Sequence, residues 1–274
     1  MDVKVTDKEN WTALKMKIKE LKIFNPENYA ETFLSRRIEC RLRATCLNSY
    51  SEYAQKLTSS EKEREALCKD LTINVTSFFR DTNTYQAIKE EVMPFIVKTK
   101  EETGQNTINV WSAGAASGEE AYSLAILFKE VLGTRLARFK LSIIGTDIDR
   151  EAIAEAKQGV YNEQQLRETD PAYIKRYFEK TGNSYRITDD IKKMVRFEQG
   201  DILGASKPRD IDLLLCRNTV IYFNAETKAK LYADFYNIMK RNGFLILGKT
   251  EILLGNAREL FQIFNSSERV YCKE

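Results

Sequence analysis

Hydrophobic positions along this chain recur with two periods, and the change between them divides it. Up to about residue 70 the period is helical. Trp11, Leu14, Ile18 and Leu21 stand at i, i+3, i+7 and i+10 with lysines between them, until Asn25-Pro26 breaks the run. From Tyr29 to about Thr45, Leu34, Ile38 and Leu42 form a second stripe. Tyr50 to Leu57 and Glu61 to Leu71 read as two further short helices. No strand signal interrupts them, so residues 1–70 predict a small all-helical domain.

Residues 71–100 predict a linker followed by a helix over 83–99. The linker, LTINVTSFFRD, is too polar for a core strand and too apolar for a plain tether. Phe78 and Phe79 suit an interface, while Asn74, Thr76 and Arg80 suit a ligand equally well. Beyond residue 101 short apolar runs alternate with helical stripes, the pattern of an α/β domain with a parallel sheet. Ile108 to Trp111, Leu141 to Gly145, Asp212 to Cys216 and Phe244 to Leu247 are the predicted strands. A final strand at Arg269 to Cys272 is expected to pair antiparallel. A helix from Asn224 or Thr227 to Arg241 is expected to end at Asn242-Gly243. Residues 160–194 break the rhythm. A helix from Pro171 to Glu179 and strands at Ser184–Thr188 and Lys193–Phe197 predict a small antiparallel β insert at about 160–195.

The candidate chemistry starts where the first of these strands ends. Ile108 to Leu127 reads strand, small-residue turn, helix, an arrangement that lays a ligand on backbone amides at a sheet edge. The turn lacks the Lys-Ser/Thr pair of a phosphate loop and has Gly114 and Gly118 instead of three glycines. Glu119 and Glu120 on the first helical turn would repel a pyrophosphate and attract a cation. An adenosine compound with an ammonium group fits better, and S-adenosylmethionine is the obvious candidate; an ordinary βα turn with an acidic helix start explains the loop equally well. Asp147, at the tip of the next strand, can accept from ribose hydroxyls, whereas Asp149 reads as the cap of the following helix. Asp201, at another strand end, can take the adenine amino group. The strand at 212–216 delivers Arg217-Asn218-Thr219 and then Ile221-Tyr222-Phe223 to the same edge.

Composition narrows the chemistry. The chain has 274 residues and no histidine, which removes Ser-His-Asp and Cys-His nucleophile systems, His metal sites and histidine acid–base catalysis. Its five cysteines include no CxxC pair and predict reduced cytosolic thiols, not a zinc site. No run reaches the length of a membrane span and the chain is charged from Asp2 onward, so a cytoplasmic protein without signal peptide or membrane insertion is expected. The net charge of +3 is too mild to imply nucleic acid. The whole excess lies in the first 80 residues. Within eight residues of the second helix, Arg36, Arg37, Arg41 and Arg43 stand against Glu39 alone, which points to an acidic partner surface as readily as to a solvated basic face.

Together, LTINVTSFFRD (71–81), VWSAGAASGEEAYSLA (110–125), GTDID (145–149), CRNTVIYF (216–223) and LGKTE (247–251) resemble the CheR-type chemotaxis receptor methyltransferases. The resemblance implies a Rossmann-like methyltransferase sheet dependent on S-adenosylmethionine, with a receptor-recognising helical N-terminal domain. It implies methyl transfer to glutamate side chains on the cytoplasmic rods of chemoreceptors. By the same resemblance Asn74, Thr76, Arg80, Glu120, Asp147, Asp201, Ile202, Asn218 and Thr219 would hold the cofactor. Arg80 and Tyr222 would flank the reactive methyl, and Arg37, Arg41 and Arg43 would meet the acidic receptor. Ala121 stands where Pro is usual, Thr219 where Val is commoner, and Asp201 where many relatives have Asn. The short insert tip, Thr181 to Ser184, argues against tethering to a receptor's C-terminal pentapeptide. A non-catalytic cofactor-binding module docking on a signalling partner is the alternative.

Overall fold

The computed structural model describes residues 3–72 and 74–274, with side chains from Glu9 onward. The charged start at Asp2 and the linker's Ile73 lie outside them. The chain divides into two compact units, one of residues 1–73 with 222–228, the other of 74–221 with 229–274.

The smaller unit is built on helices Val3–Glu20, Glu31–Thr45, Tyr50–Ser59 and Glu61–Leu71. Their stripes meet in one core of Trp11, Leu14, Ile18, Leu34, Ile38, Tyr53, Leu57, Leu67 and Leu71. Ser49 and Ser60 cap the third and fourth helices by accepting from Glu52 and Glu63 N–H. A segment from far along the chain completes this unit. Phe223 forms an antiparallel bridge with Tyr29, the Tyr222 carbonyl accepts from Ala30 N–H at 2.9 Å, and Asn224 N–H donates to the Asn28 carbonyl at 3.1 Å.

The larger unit is a seven-stranded sheet in the order β6-β2-β1-β7-β8-β10-β9. The strands are β1 (Thr107–Ala113), β2 (Lys140–Asp147), β6 (Val195–Gln199), β7 (Ile211–Cys216), β8 (Met239–Leu247), β9 (Gln262–Asn265) and β10 (Val270–Cys272). The first five in the sheet order run parallel, and β10 is antiparallel to β8, as its sequence suggests. Central β7 is buried along its whole length, so Leu213 to Cys216 read as an apolar run, while buried Asp212 near its start pairs with Lys100 and Lys240.

Two boundaries differ from the sequence reading. The insert is a three-stranded sheet of β3 (Val160–Asn162), β5 (Ser184–Ile187) and β4 (Phe178–Thr181). Its helix stops at Tyr177, and the strand expected at 193–197 belongs to the main sheet, parallel to β2. β5 stands where the strand at Ser184–Thr188 is expected, whereas β3 and β4 carry too little alternation to be recognised alone. The helix expected to reach Arg241 ends at Ile238, and Asn242-Gly243 lies inside a bulged β8. Asn242 takes the left-handed conformation there (φ 62) while its N–H pairs with the Lys273 carbonyl. A turn signature and a bulge make the same demand on the backbone.

Candidate functional site

In the larger unit β1 has β2 on one side and β7 on the other, so the connections leave in opposite directions from this point. A crevice beyond the carboxyl ends of two such strands is where open α/β sheets bind ligands. The glycine loop after β1 is folded onto β2, with Gly114 and Ala115 N–H both donating to the Thr146 carbonyl at 2.9 Å. Gly114 has φ 84, and a Cβ there would fall 2.4 Å from Thr219 Oγ1, in the turn after β7. Gly118 has φ 95, and its Cβ would fall 2.8 Å from the Phe197 ring. Both positions therefore require glycine, for conformation and for space.

The two acids of the helix Glu119–Leu132 part company. Glu119 is fully buried, accepting from Ser117 Oγ at 2.9 Å and from Gln165 Nε2 at 2.6 Å, so it ties the insert to the loop and offers nothing to a cation. That corrects the expectation that both acids serve a ligand. Glu120 accepts from Ser112 Oγ at 2.8 Å and lies 3.5 Å from Arg217 Nη1. Burial pushes its pKa up, and Arg217 and Ser112 offset part of that rise.

At the β2 tip Asp147 is only 8% exposed. Its oxygens accept from Ala116 N–H and Asp149 N–H, each at 2.9 Å, which pins the glycine loop. Each carboxylate oxygen retains a further lone pair. Burial raises this pKa as well, against the lowering effect of the amides. Asp149 caps the helix Arg150–Gln158 through Glu151 and Ala152 N–H, and its other oxygen accepts from Asn74 Nδ2 at 2.7 Å. Gly200 N–H donates to the Asp147 carbonyl at 2.8 Å, so the turn with Asp201 and buried Ile202 starts beside the same tip.

The linker is a tightly held loop. Phe79 (φ 53) and Asp81 (φ 63) flank Arg80, both left-handed without being glycine. Such backbone costs roughly 1–3 kcal/mol per residue and persists only where surroundings impose it. Here Phe79 N–H donates to Ser123 Oγ at 3.0 Å and Asp81 N–H to Glu168 Oε2 at 2.9 Å. The Arg80 carbonyl accepts from Arg217 Nη2 at 3.0 Å, and Arg80 Nη1 donates back to the Val75 carbonyl at 2.8 Å. Half-buried Thr76 lies on the same loop.

In the turn after β7, Asn218 is again left-handed (φ 58). Glu251 holds that turn by accepting from Asn218 N–H at 2.9 Å and Ile221 N–H at 3.2 Å, besides Gly248 N–H at 2.7 Å. Arg217 and Glu251 received no role from sequence reasoning. A charged residue directly after a fully apolar strand, and an acid closing LGKTE after another, were the available signals. Asn74, Thr76, Arg80, Glu120, Asp147, Asp201, Ile202, Asn218 and Thr219 all belong to the larger unit.

Tyr222 and the helix arginines Arg37, Arg41 and Arg43 belong to the smaller unit. The Tyr222 ring packs on Phe33 at a centroid distance of 4.7 Å, and the Arg37 guanidinium lies 5.4 Å from the centroid of the same Phe33 ring. Arg43 is exposed. Arg41 departs from the expectation of a partner-facing side chain. It pairs with Glu63 through Nε and Nη2 at 2.8 Å each and with Asp70 at 3.3 Å, and its side chain is 16% exposed.

These side chains fit S-adenosylmethionine. A buried carboxylate whose pKa is raised by desolvation is a ready counter-ion for an ammonium, and Glu120 is one. Asp147 keeps acceptor capacity for two hydroxyls. The described residues offer no cluster suited to a metal ion. No helix among them is long and apolar enough to cross a membrane.

Comparison with known proteins agrees. A family model described as the SAM binding domain of CheR methyltransferase matches residues 74–270, and one described as its all-alpha domain matches residues 10–72. The chemotaxis protein methyltransferase of Listeria monocytogenes is 32% identical over 229 residues, covering 84% of each chain. That of Listeria innocua is 31% identical over the same length and coverage. That of Escherichia coli is 29% identical over 223 residues, covering 78% of this chain and 74% of its own.

Proposed function

Because the chain belongs to the CheR methyltransferase family, we propose that it methylates glutamate side chains on the cytoplasmic helices of chemoreceptors. It is a chemotaxis methyltransferase dependent on S-adenosylmethionine. The products of the proposed reaction are glutamyl methyl esters and S-adenosylhomocysteine, and the setting is receptor adaptation in the cytoplasm. The observation that carries the reading is the joint match of both family domains in one chain, one bearing the cofactor site and the other an arginine-rich helix.

Bound S-adenosylmethionine supplies a methyl group already activated by its sulfonium centre. An ionised glutamate is already a nucleophile, so the chain needs no general base, in keeping with its lack of histidine. Orientation is then the main task of the residues and can lower the barrier by about 7–11 kcal/mol at best. Glu120 takes the ammonium, Asp147 the ribose hydroxyls, and Asp201 with Ile202 the adenine side. Asn74, Thr76, Asn218 and Thr219 line the remainder. Arg80 offsets the desolvation of the incoming carboxylate without pairing so tightly that it quenches the nucleophile. Tyr222 hydrogen-bonds an acceptor oxygen. Arg37 and Arg43 meet the acidic receptor rod, while Arg41 anchors the helix that carries them. The short hairpin tip at Gly182-Asn183 supports recognition of the rod without a C-terminal tether.

Incubation with tritiated cofactor and receptor cytoplasmic fragments tests this. Base-labile label is expected on fragments with Glu at the modified positions and none on their Gln forms. Tight binding of S-adenosylhomocysteine with no transfer to any receptor would make the chain a binding module instead.

A further inference from the structure

The Arg217 side chain is only 2% exposed and takes no part in the reaction proposed above. Its Nη2 donates to two linker groups at once, the Asp81 carboxylate at 2.6 Å and the Arg80 carbonyl at 3.0 Å. Its Nη1 faces the Glu120 carboxylate at 3.5 Å. The guanidinium plane lies 5.5 Å over the Tyr85 ring, and its Nε finds no acceptor among the described residues. A buried arginine with an idle Nε is costly if packing is its only purpose. A planar fork reaching two carboxylates on different elements does what a lysine could not.

We infer that Arg217 is a positioning residue that joins the two halves of the site, fixing the Arg80–Asp81 segment to the acid that receives the cofactor. This rests on the proposed roles of Glu120 and Arg80. The physical logic is charge balance. Without ligand, Glu120 and Asp81 share one guanidinium. A cofactor ammonium arriving at Glu120 competes with Nη1, and the guanidinium is then drawn more strongly to Asp81. The linker, already anchored by Arg217, is then held more firmly, so Arg80 is most rigidly placed when the cofactor is seated. Arg217 thereby makes acceptor methylation follow cofactor seating, although it need touch neither reactant.

Asp81→Asn is the informative variant. Asparagine keeps the size and tolerates φ 63, and the Asp81 backbone bond to Glu168 is untouched. Only the charge that Arg217 holds is removed. Affinity for S-adenosylhomocysteine by calorimetry should stay within about threefold, while kcat on receptor fragments falls at least about tenfold with little change in KM. Hydrogen exchange gives a second readout. In the wild type S-adenosylhomocysteine should slow exchange in both the glycine-loop peptide and the peptide spanning 74–82. In Asp81→Asn only the glycine loop should respond. Arg217→Lys should behave likewise, with partial loss of affinity. Wild-type kcat in Asp81→Asn, or affinity and kcat falling in equal proportion, would overturn the inference. If the wild type itself transfers no methyl to receptors, the proposed function fails and the exchange readout decides alone: ligand-dependent linker protection lost in Asp81→Asn upholds the positioning role, and no such protection in the wild type sinks it.

Discussion

Glu251 Oε2 lies 2.9 Å from the backbone nitrogen of Asn218, a residue 33 positions earlier in the chain. The same carboxylate accepts from Gly248 and Ile221, so one side chain fixes the whole turn after β7. Replacement by Gln sets an amide donor against donors and leaves at least one N–H orphaned. Glu251→Gln should lose about 2 kcal/mol of stability, seen as a melting temperature lower by roughly 4–8 °C. Affinity for S-adenosylhomocysteine should fall with it, because Asn218 loses the contact that holds it left-handed. Calorimetry and a thermal melt check both.

Arg37, Arg41 and Arg43 look alike in sequence and should behave differently. Breaking the internal pair by Arg41→Ala strands buried Glu63 and should cost about 3 kcal/mol. Exposed Arg43→Glu should instead raise KM for receptor fragments severalfold with kcat and melting temperature unchanged, whereas Arg37→Glu, which also removes the cation over Phe33, should raise KM and lower the melting temperature. Glu63 adds a pH signature. Burial pushes its pKa up, but Arg41 and Tyr53 more than compensate and hold it below 4.5. A lowered carboxylate stabilises above its unfolded pKa and loses that stabilisation as pH falls through the folded value. The wild type's stability should therefore drop below about pH 4.5 more steeply than that of Glu63→Gln, measured by melts across acid pH.

Cofactor affinity should carry the opposite kind of shift. Glu120 is raised above 4.5 by burial, with Arg217 countering in part. An ammonium needs the ionised form, so a ligand binding at pH values near the raised pKa must displace a proton. Affinity for S-adenosylhomocysteine should weaken on acidification before ordinary glutamates titrate. Calorimetry in buffers of different ionisation enthalpy should detect the released proton. In Glu120→Gln the pH dependence should vanish along with most of the affinity.

Phe33 supports Tyr222 by ring packing within the smaller unit. Phe33→Ala should reduce kcat about as far as Tyr222→Phe does, with S-adenosylhomocysteine affinity unchanged and a stability loss of roughly 1–3 kcal/mol, since the side chain is only half buried. Phe33→Tyr should restore turnover. Steady-state kinetics on receptor fragments separates the cases.

What the chain discloses before it folds follows the range of each signal. The helical stripes, the buried run at β7 and the Asp149 cap are local, so periodicity and capping chemistry reveal them. Glycines 114 and 118 were legible because a left-handed, crowded backbone excludes other residues. The partners of charged groups were not legible. Glu119 and Glu120 are neighbours, yet one is spent on Gln165 and the other faces Arg217, because successive helical positions point in different directions. Arg41 and Arg37 are one turn apart, and only the distant placement of Glu63 separates their fates. Pairings between positions far apart along the chain, such as Arg217 with Asp81, leave no periodic trace.

The bridge between Tyr29 and Phe223 has a bearing on biosynthesis. The first four helices leave the ribosome early, but the strand-like stretch that closes their unit is translated only after residues 74–221. At common elongation rates the wait is on the order of ten seconds. During that interval Tyr29 and Ala30 have no backbone partner at Phe223 and Tyr222, so a nascent chain halted before this point should be more open to proteases there than the finished protein. A fragment cut at residue 73 would carry the same defect permanently.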